Sequence, residues 1–89
     1  MLAENGTFKI ASLNRLERDD SLKAMVDIIA SGNMMIKGFK VVEGKNGLFI
    51  SMPGRQAPNG KWYDSVYPLT KETREELTQT ILGAYQEAQ

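Results

Sequence analysis

Three apolar runs separated by short glycine-containing turns constrain the fold of this chain more than any other feature. They cover residues 22–30, 34–42 and 48–52 and contain many of the β-branched and aromatic side chains that favour strands. Apolar residues alternate in the first run and occupy both faces of the second. The connections at 31–33 and 43–47 are short and contain glycine, which tolerates the left-handed backbone of tight turns. The pattern predicts antiparallel strands joined by hairpins.

Two further strands and one helix are predicted around these runs. Residues 7–16 alternate imperfectly, which predicts a strand with a bulge near Ala11-Ser12, and the stretch around Tyr63 to Tyr67 predicts a fifth strand. Thr70 is the predicted N-cap of a helix; a helix that begins one turn later would instead use Thr73 and Glu76 as a capping box. The apolar stripe of this helix recurs at spacings of three and four and comprises Leu77, Ile81, Ala84, Tyr85 and Ala88.

The predicted fold is therefore α+β, an antiparallel β-sheet of about five strands with a C-terminal helix packed on it. A chain of 89 residues is expected to form a single domain over residues 1–89. A domain of this size buries only a modest fraction of its surface, so dimerisation would supplement its core.

Residues 53–61, between the fourth and fifth predicted strands, form a basic connecting segment. The tripeptide Pro58-Asn59-Gly60 has the residues of a tight turn, because Asn and Gly tolerate positive φ. Arg55 and Lys61 lie on this segment. We expect any ligand contact to begin here.

The charges are unevenly distributed although the net charge is zero. Residues 1–33 carry a net charge of −1, residues 34–63 carry +4 and residues 64–89 carry −3, as counted from the sequence. The middle segment can create a local positive field that attracts a polyanion, or it can be a solvated sheet face with incidental lysines. Charge alone leaves both interpretations open.

The composition argues against several classes of protein. The chain has no His and no Cys, so the usual general base, thiol nucleophile and soft-metal ligands are missing. The neighbouring carboxylates Asp19-Asp20 and Glu75-Glu76 are expected to be solvated, and no enzyme activity, metal, cofactor or small-molecule substrate is expected. No apolar run is long enough to span a membrane and no secretion signal is recognisable, which favours a cytoplasmic location.

The aromatic residues Trp62, Tyr63 and Tyr67 follow Lys61 closely. Cations next to exposed rings suit nucleic acid, with the cations on phosphates and the rings on bases. Large aromatic side chains more often anchor a core or an interface, so Trp62 can equally be buried in the core or in a dimer interface.

The string EGKNGLFISMPGRQAPNGKWYDSVYPLT, residues 43–70, resembles the family of septation protein SpoVG (stage V sporulation protein G). Members carry a similar D/E-G-x-N-G-L-F-[VI]-x-M-P block, then a basic pair, a P-[DN]-G turn and an aromatic-x-D-x-x-x-P ending. The likeness extends more loosely over residues 7–88. The positions that match are Asn46, Gly47, Leu48, Phe49, Met52, Pro53, Pro58, Gly60, Asp64 and Pro68.

The resemblance implies a small bacterial cytoplasmic regulator that dimerises through its sheet and binds DNA, and in some members RNA, without enzymatic activity. In the family, the loop after Met-Pro and the C-terminal helix are implicated in nucleic-acid contact, which points here to Arg55 and to Lys71 and Arg74. The family's two adjacent basic residues are Arg55-Gln56 in this chain, and Lys61 would restore one charge.

The leading hypothesis is thus a homodimeric nucleic-acid-binding regulator of gene expression, septation or sporulation. Arg55, Lys61 and Arg74 would hold phosphates, with help from Lys37, Lys40 and Lys71. The alternative is a protein-interaction adaptor, in which the doubly apolar strand at 34–42 and the helix form dimer and partner surfaces. A third hypothesis, a small enzyme, would require carboxylates that converge in a pocket.

Overall fold

A four-stranded antiparallel sheet with one helix on it forms the body of the protein, as the computed structural model shows for residues 7–17 and 20–87. The strand order in this sheet is β1-β2-β3-β4, and β5 and β6 form a separate two-stranded sheet. The predicted α+β class is confirmed. The elements are β1 (Phe8–Arg15), β2 (Leu22–Ala30), β3 (Met34–Gly44), β4 (Gly47–Ser51), β5 (Gly54–Gln56), β6 (Trp62–Asp64) and α1 (Lys71–Glu87).

The local signals in the sequence place most of the sheet correctly. β2 has the predicted bounds, and the register of β1 against β2 shifts between Ile10 and Ser12, where the bulge is predicted. Ser31 and Gly32 turn the chain with φ of 54° and 75°. β3 continues two residues further than predicted, so the loop predicted over 43–47 shrinks to Lys45-Asn46.

The prediction of a fifth strand in the main sheet is wrong in its position. The strand covers Trp62–Asp64 instead of the stretch to Tyr67, and it pairs with β5 rather than with the four-stranded sheet. β5 lies inside the segment predicted to be a loop. A strand of three residues is too short to show a two-residue alternation, so only its pairing across the turn identifies it.

The core lies between α1 and one face of the four-stranded sheet. Alternate residues of the central strands β2 and β3 point toward the helix and are buried, while their neighbours stay partly accessible. Burial of each large apolar side chain contributes about 1.5–3 kcal/mol. The buried core residues are Ala24, Val26, Ile28, Phe39, Val41, Met52, Leu77 and Ile81.

α1 is capped by Thr70 and contacts the β1 segment at two points. The helix begins at Lys71, and the Thr70 hydroxyl accepts a hydrogen bond from the backbone N–H of Thr73 at 3.1 Å, so the N-cap prediction for Thr70 is confirmed and the later start is wrong. Glu76 instead accepts a hydrogen bond from the Thr7 backbone N–H at 2.9 Å. Ala88, the last residue of the predicted stripe, lies outside the described residues.

At the other end of the helix, Arg15 makes two contacts with one residue. Its Nη1 donates to the Tyr85 carbonyl at 2.7 Å, and its guanidinium lies 4.0 Å from the centre of the Tyr85 ring. A carbonyl in the last turn of a helix has no partner within the helix, so this cation supplies one. The apolar stripe of α1 is thereby held in register with the sheet.

A second polar arrangement crosses the middle of the sheet on the face away from α1. The carboxylate of Asp27 accepts hydrogen bonds from the Ser12 hydroxyl at 3.1 Å and from the Gly38 backbone N–H at 3.3 Å. Gly38 has a φ of 101°, and the register of β3 against β2 shifts beside it. The bulges of β1 and β3, the two strands that flank β2, thus both lie beside the Asp27 carboxylate. Its hydrogen bonds fix the positions at which these strands bend.

Replacement of the N-cap tests the observed start of the helix. Thr70→Ala removes the acceptor for the Thr73 N–H and should lower the free energy of unfolding by about 1 kcal/mol, as measured by urea denaturation. Thr78→Ala is the matched control, because its hydroxyl makes no hydrogen bond within the described chain. That control should leave stability unchanged or raise it by a few tenths of a kcal/mol. Equal losses in the two variants would contradict the cap.

A second pair of variants tests the β5–β6 pairing. A Cβ added at Gly54 would lie 2.6 Å from the Tyr63 carbonyl oxygen, closer than atoms can pack, so Gly54→Ala should separate β5 from β6. Amide chemical shifts of residues 54–64 should change while those of β1 and β2 remain. Gly83→Ala adds the same methyl group in open space within the helix and should stabilise the protein by about 1 kcal/mol. An unchanged spectrum for Gly54→Ala would rule out the close pairing.

Candidate nucleic-acid interface

The paired strands β5 and β6 form an exposed arm, defined here as residues 54–64. All six strand residues of the arm are exposed. The turn at its tip is the predicted one: the Ala57 N–H donates to the Lys61 carbonyl at 2.8 Å, and the Gly60 N–H donates to the Ala57 carbonyl at 2.9 Å. Gly60 has a φ of 87°, a conformation that glycine adopts without steric cost.

Side-chain hydrogen bonds make this turn more rigid. Asn59 Oδ1 accepts from the Lys61 N–H at 2.9 Å, and Gln56 Nε2 donates to the Gly60 carbonyl at 3.0 Å. The Asn59 side chain also reaches the Tyr63 hydroxyl at 3.5 Å. These local bonds, which Asn supplies readily in turns, order the tip without a hydrophobic core.

The base of the arm is fixed to the sheet through Pro53. Its carbonyl accepts a hydrogen bond from the Ser65 N–H at 2.7 Å and a longer one from the Val66 N–H at 3.4 Å. Pro53 itself is buried and lies beside Gly38, where an added Cβ would be 3.6 Å from the proline Cβ. The two chain segments that enter and leave the arm are therefore held together where they join the sheet.

The register of the arm decides which side chains share a face. Arg55 is paired with Tyr63 on one face, while Trp62 lies on the other with Gln56. Asp64, two residues after Trp62, lies on the same face as Trp62. One face of the arm thus carries Arg55 and Tyr63, and the other face carries Trp62 and Asp64.

Trp62 and Tyr63 are accessible, with 67% and 52% of their surfaces exposed. Tyr67, just beyond the arm, is exposed too. The alternative that Trp62 packs into the core is wrong. Its burial in an interface with a second chain stays a prediction.

A cleft of about 270 Å³ separates the arm from the edge of the four-stranded sheet. Lys40 and Ser51, which are paired across β3 and β4, contribute the sheet side. Both alternate with residues that face the helix, so their side chains lie on the face opposite to α1. One carboxylate, Asp64, belongs to the cleft. Its full lining is Lys40, Ser51, Met52, Gly54, Trp62, Tyr63 and Asp64.

The six predicted phosphate ligands lie on three different parts of the structure: β3, the arm and α1. Lys40 borders the cleft, and Arg55 and Lys61 lie on the arm. Lys71 and Arg74 lie in the first turn of α1, in the layer on the opposite side of the sheet, and Lys37 is exposed where the register of β3 shifts. Their roles stay predictions.

In the described part of the chain, none of the six side chains makes an ion pair; the salt bridge there joins Lys23 to Glu43 at 3.6 Å. The carboxylate of Asp64 likewise makes no ion pair or hydrogen bond with any described residue. The charged groups around the arm and cleft are therefore available to a ligand. Sequence reasoning proposed the cations and Trp62 as ligand contacts, and it named Asp64 only as a match to the family pattern. It did not single out Ser51, whose place at the cleft depends on its pairing with Lys40.

The described residues contain neither a cluster suited to a metal ion nor a helix that could cross a membrane. No group of three or more acidic side chains within residues 7–17 and 20–87 is arranged to hold a metal ion. α1, the helix of the described residues, is too short and too polar to cross a membrane.

Comparison with known proteins identifies the relatives of this chain. The family model described as SpoVG matches residues 8–87. A relative from Symbiobacterium thermophilum, named "Putative septation protein SpoVG", is 42% identical over 73 residues, which are 82% of this chain and 52% of the relative. Relatives of the same name from Clostridium kluyveri and Clostridium perfringens are each 35% identical over 74 residues, 83% of this chain and 77% or 82% of theirs.

The chain thus spans about half of the Symbiobacterium protein and most of the clostridial ones. The family match includes every strand and the helix, as well as the arm and all the residues of the cleft. This chain belongs to the SpoVG family.

Proposed function

We propose that the protein is a nucleic-acid-binding regulator that acts as a homodimer in the cytoplasm, in the control of gene expression connected with septation or sporulation. The observation that carries the proposal is the arm, on which Arg55 and Lys61 stand without acidic partners beside the exposed rings of Trp62 and Tyr63. DNA is the expected ligand. RNA is a second candidate ligand of the arm, because it has the same phosphate groups and also offers unpaired bases.

The arm suits a nucleic acid for two physical reasons. A cation that replaces the counterions of a phosphate gains free energy from their release, which makes binding strongly dependent on salt. An exposed ring offers a stacking surface for any base. Phosphate contacts orient the chain on the nucleic acid and carry no sequence information, so the proposal assigns no target sequence.

Electrostatics favour the arm over the start of α1 as the principal contact. Lys71 and Arg74 stand among Glu72, Glu75 and Glu76, which would repel a phosphate backbone. Arg55 and Lys61 have one acidic neighbour on the arm, Asp64, on the face opposite to Arg55. Because the net charge is zero and the helix is acidic, we expect binding to be weak at physiological salt.

A homodimer would double the number of cations that face one ligand. The face of the sheet away from α1 carries Met35 and Phe49, which are 51% and 49% exposed. Residues of this kind in an exposed sheet face are typical of a surface that a second chain covers. Pairing of two copies through the Met35 end of this face would leave Lys40 and Ser51 open and would place two arms on one particle.

The same apolar face supports a second candidate function, a protein-interaction adaptor without direct nucleic-acid contact. On this alternative, Met35 and Phe49 would contact a different protein and the cations of the arm would serve solubility. Recovery of a protein partner after nuclease treatment, together with no retained DNA or RNA, would favour the adaptor.

Electrophoretic shifts over a salt series test the proposed function. Arg55→Ala combined with Lys61→Ala should weaken binding to a labelled DNA at least about tenfold and reduce the slope of log K against log salt by about two per chain. The matched control combines Lys9→Ala and Lys45→Ala, which removes the same charge from exposed positions outside the arm. The proposal fails if both double variants bind like the unmodified protein, or if none of the proteins binds DNA or RNA at low salt.

Light scattering tests the proposed dimer. The unmodified protein should have twice the chain mass of 9.9 kDa. Met35→Lys would place like charges opposite one another in the interface and should yield a monomer. Met34→Lys is the control, because Met34 is also exposed but lies on the face of the sheet toward α1. A monomeric unmodified protein, or a dimer that survives Met35→Lys, would contradict association through this face.

A further inference from the structure

Trp62 is the only tryptophan of the chain and is left two-thirds exposed beside a cleft. An indole ring normally contributes to stability by burial, and here it contributes little. The bonds that order the arm involve Pro53, Gln56, Ala57, Asn59 and Gly60 with their partners, and none of them uses the Trp62 ring. These hydrogen bonds therefore fix the backbone that carries Trp62, although the Trp62 ring contributes little to the stability of the arm.

The size of the cleft limits what the ring can receive. Pockets for drug-sized ligands have volumes of roughly 300–1,000 Å³, and this cleft has about 270 Å³. It has an open side, so a longer ligand can continue out of it. A single planar group that is attached to a chain fits these limits better than a folded partner does.

The polar groups of the cleft have opposite charges at separate positions. Lys40 stands on the sheet side and Asp64 on the arm side, two residues from Trp62, a distance of about 7 Å along the strand. Neither makes an ion pair with a described residue. A group that stacks on the indole would direct one edge toward the carboxylate while an anionic substituent reaches Lys40.

We infer that this cleft binds one unpaired nucleobase, so that the protein prefers single-stranded nucleic acid to duplex. The inference rests on the proposed function and specifies its ligand. A base within a duplex is stacked on both faces and cannot lie on the indole, whereas a base in a single strand can leave the stack at small cost. Lys40 would then hold an adjacent phosphate.

Asp64 adds a preference among bases. An ionised carboxylate only accepts hydrogen bonds, so it favours a base that presents an exocyclic amine. Cytosine, adenine and guanine have such an amine, and thymine and uracil have none. We therefore expect oligo-dC to bind more tightly than oligo-dT, a comparison between two pyrimidines of similar size.

The fluorescence of Trp62 reports on the cleft directly, because the chain has no second tryptophan. The unmodified protein is titrated with oligo-dC, with oligo-dT and with a duplex of equal length, and affinities are measured in parallel by the anisotropy of labelled strands. Oligo-dC should quench the emission most and bind most tightly, and the duplex should bind through phosphates alone without quenching.

Three variants make the assignment specific. Trp62→Ala should weaken oligo-dC binding about 5- to 100-fold while Trp62→Phe, which keeps a stacking surface, retains most of the affinity. Leu69→Ala removes an exposed apolar side chain that does not line the cleft and should leave single-strand affinity unchanged. Asp64→Asn, whose amide also donates, should reduce the preference for oligo-dC over oligo-dT.

The outcomes separate this inference from the proposed function. Three results together would overturn the cleft assignment and leave the proposed function standing. These are equal binding of single strands and duplex, constant Trp62 emission, and full affinity in Trp62→Ala. If no nucleic acid binds at low salt, both are overturned. If circular dichroism shows that Trp62→Ala is unfolded, the affinity of Trp62→Phe and the quenching of Trp62 emission in the unmodified protein test the cleft assignment instead.

Discussion

Burial of one face of the four-stranded sheet beneath α1 is the constraint on which the rest of the structure depends. Val26, Phe39 and Ile81 are completely removed from solvent at this contact. Hydrophobic burial is the largest favourable contribution to folding, and a chain of 89 residues has only one such core to form. Once one face is covered, the opposite face and the arm are left outside the core, and they become the surfaces available for association.

The arm shows how a short hairpin can be ordered without a core of its own. A two-stranded hairpin in isolation is marginally stable in water. Here the carbonyl of Pro53 closes its base, and Pro53 is itself buried next to the positive-φ residue Gly38. The order of the exposed segment therefore derives from the buried sheet. Side chains such as Arg55 and Trp62 are free to meet a ligand because the fold does not need them.

The charge distribution follows the same division between body and arm. The carboxylates of the C-terminal segment other than Asp64 lie on the helix, where acidic side chains near the N-terminus complement the helix dipole. The cations of the middle segment lie on β3, in the turn after it and on the arm, and have no acidic partners among the described residues. A neutral chain can thus present a positive surface in one direction, because the surplus of positive charge and the surplus of negative charge lie in different layers.

The sequence by itself determined the elements whose cause is local. The bounds of β2, the bulge after Ile10, the turn at Pro58-Asn59-Gly60 and the N-cap at Thr70 all follow from backbone preferences and hydrophobic period within a few residues. Only the tertiary structure decided that β6 leaves the main sheet, that Trp62 stays exposed, and that Lys40 meets Trp62 and Asp64 at one cleft. Those features depend on the pairing of strands only three residues long and on which sheet face the helix covers. A strand of three residues shows no hydrophobic period, and the contacts of the helix with the sheet and of Lys40 with the arm join residues far apart in the chain, so no local pattern encodes these features.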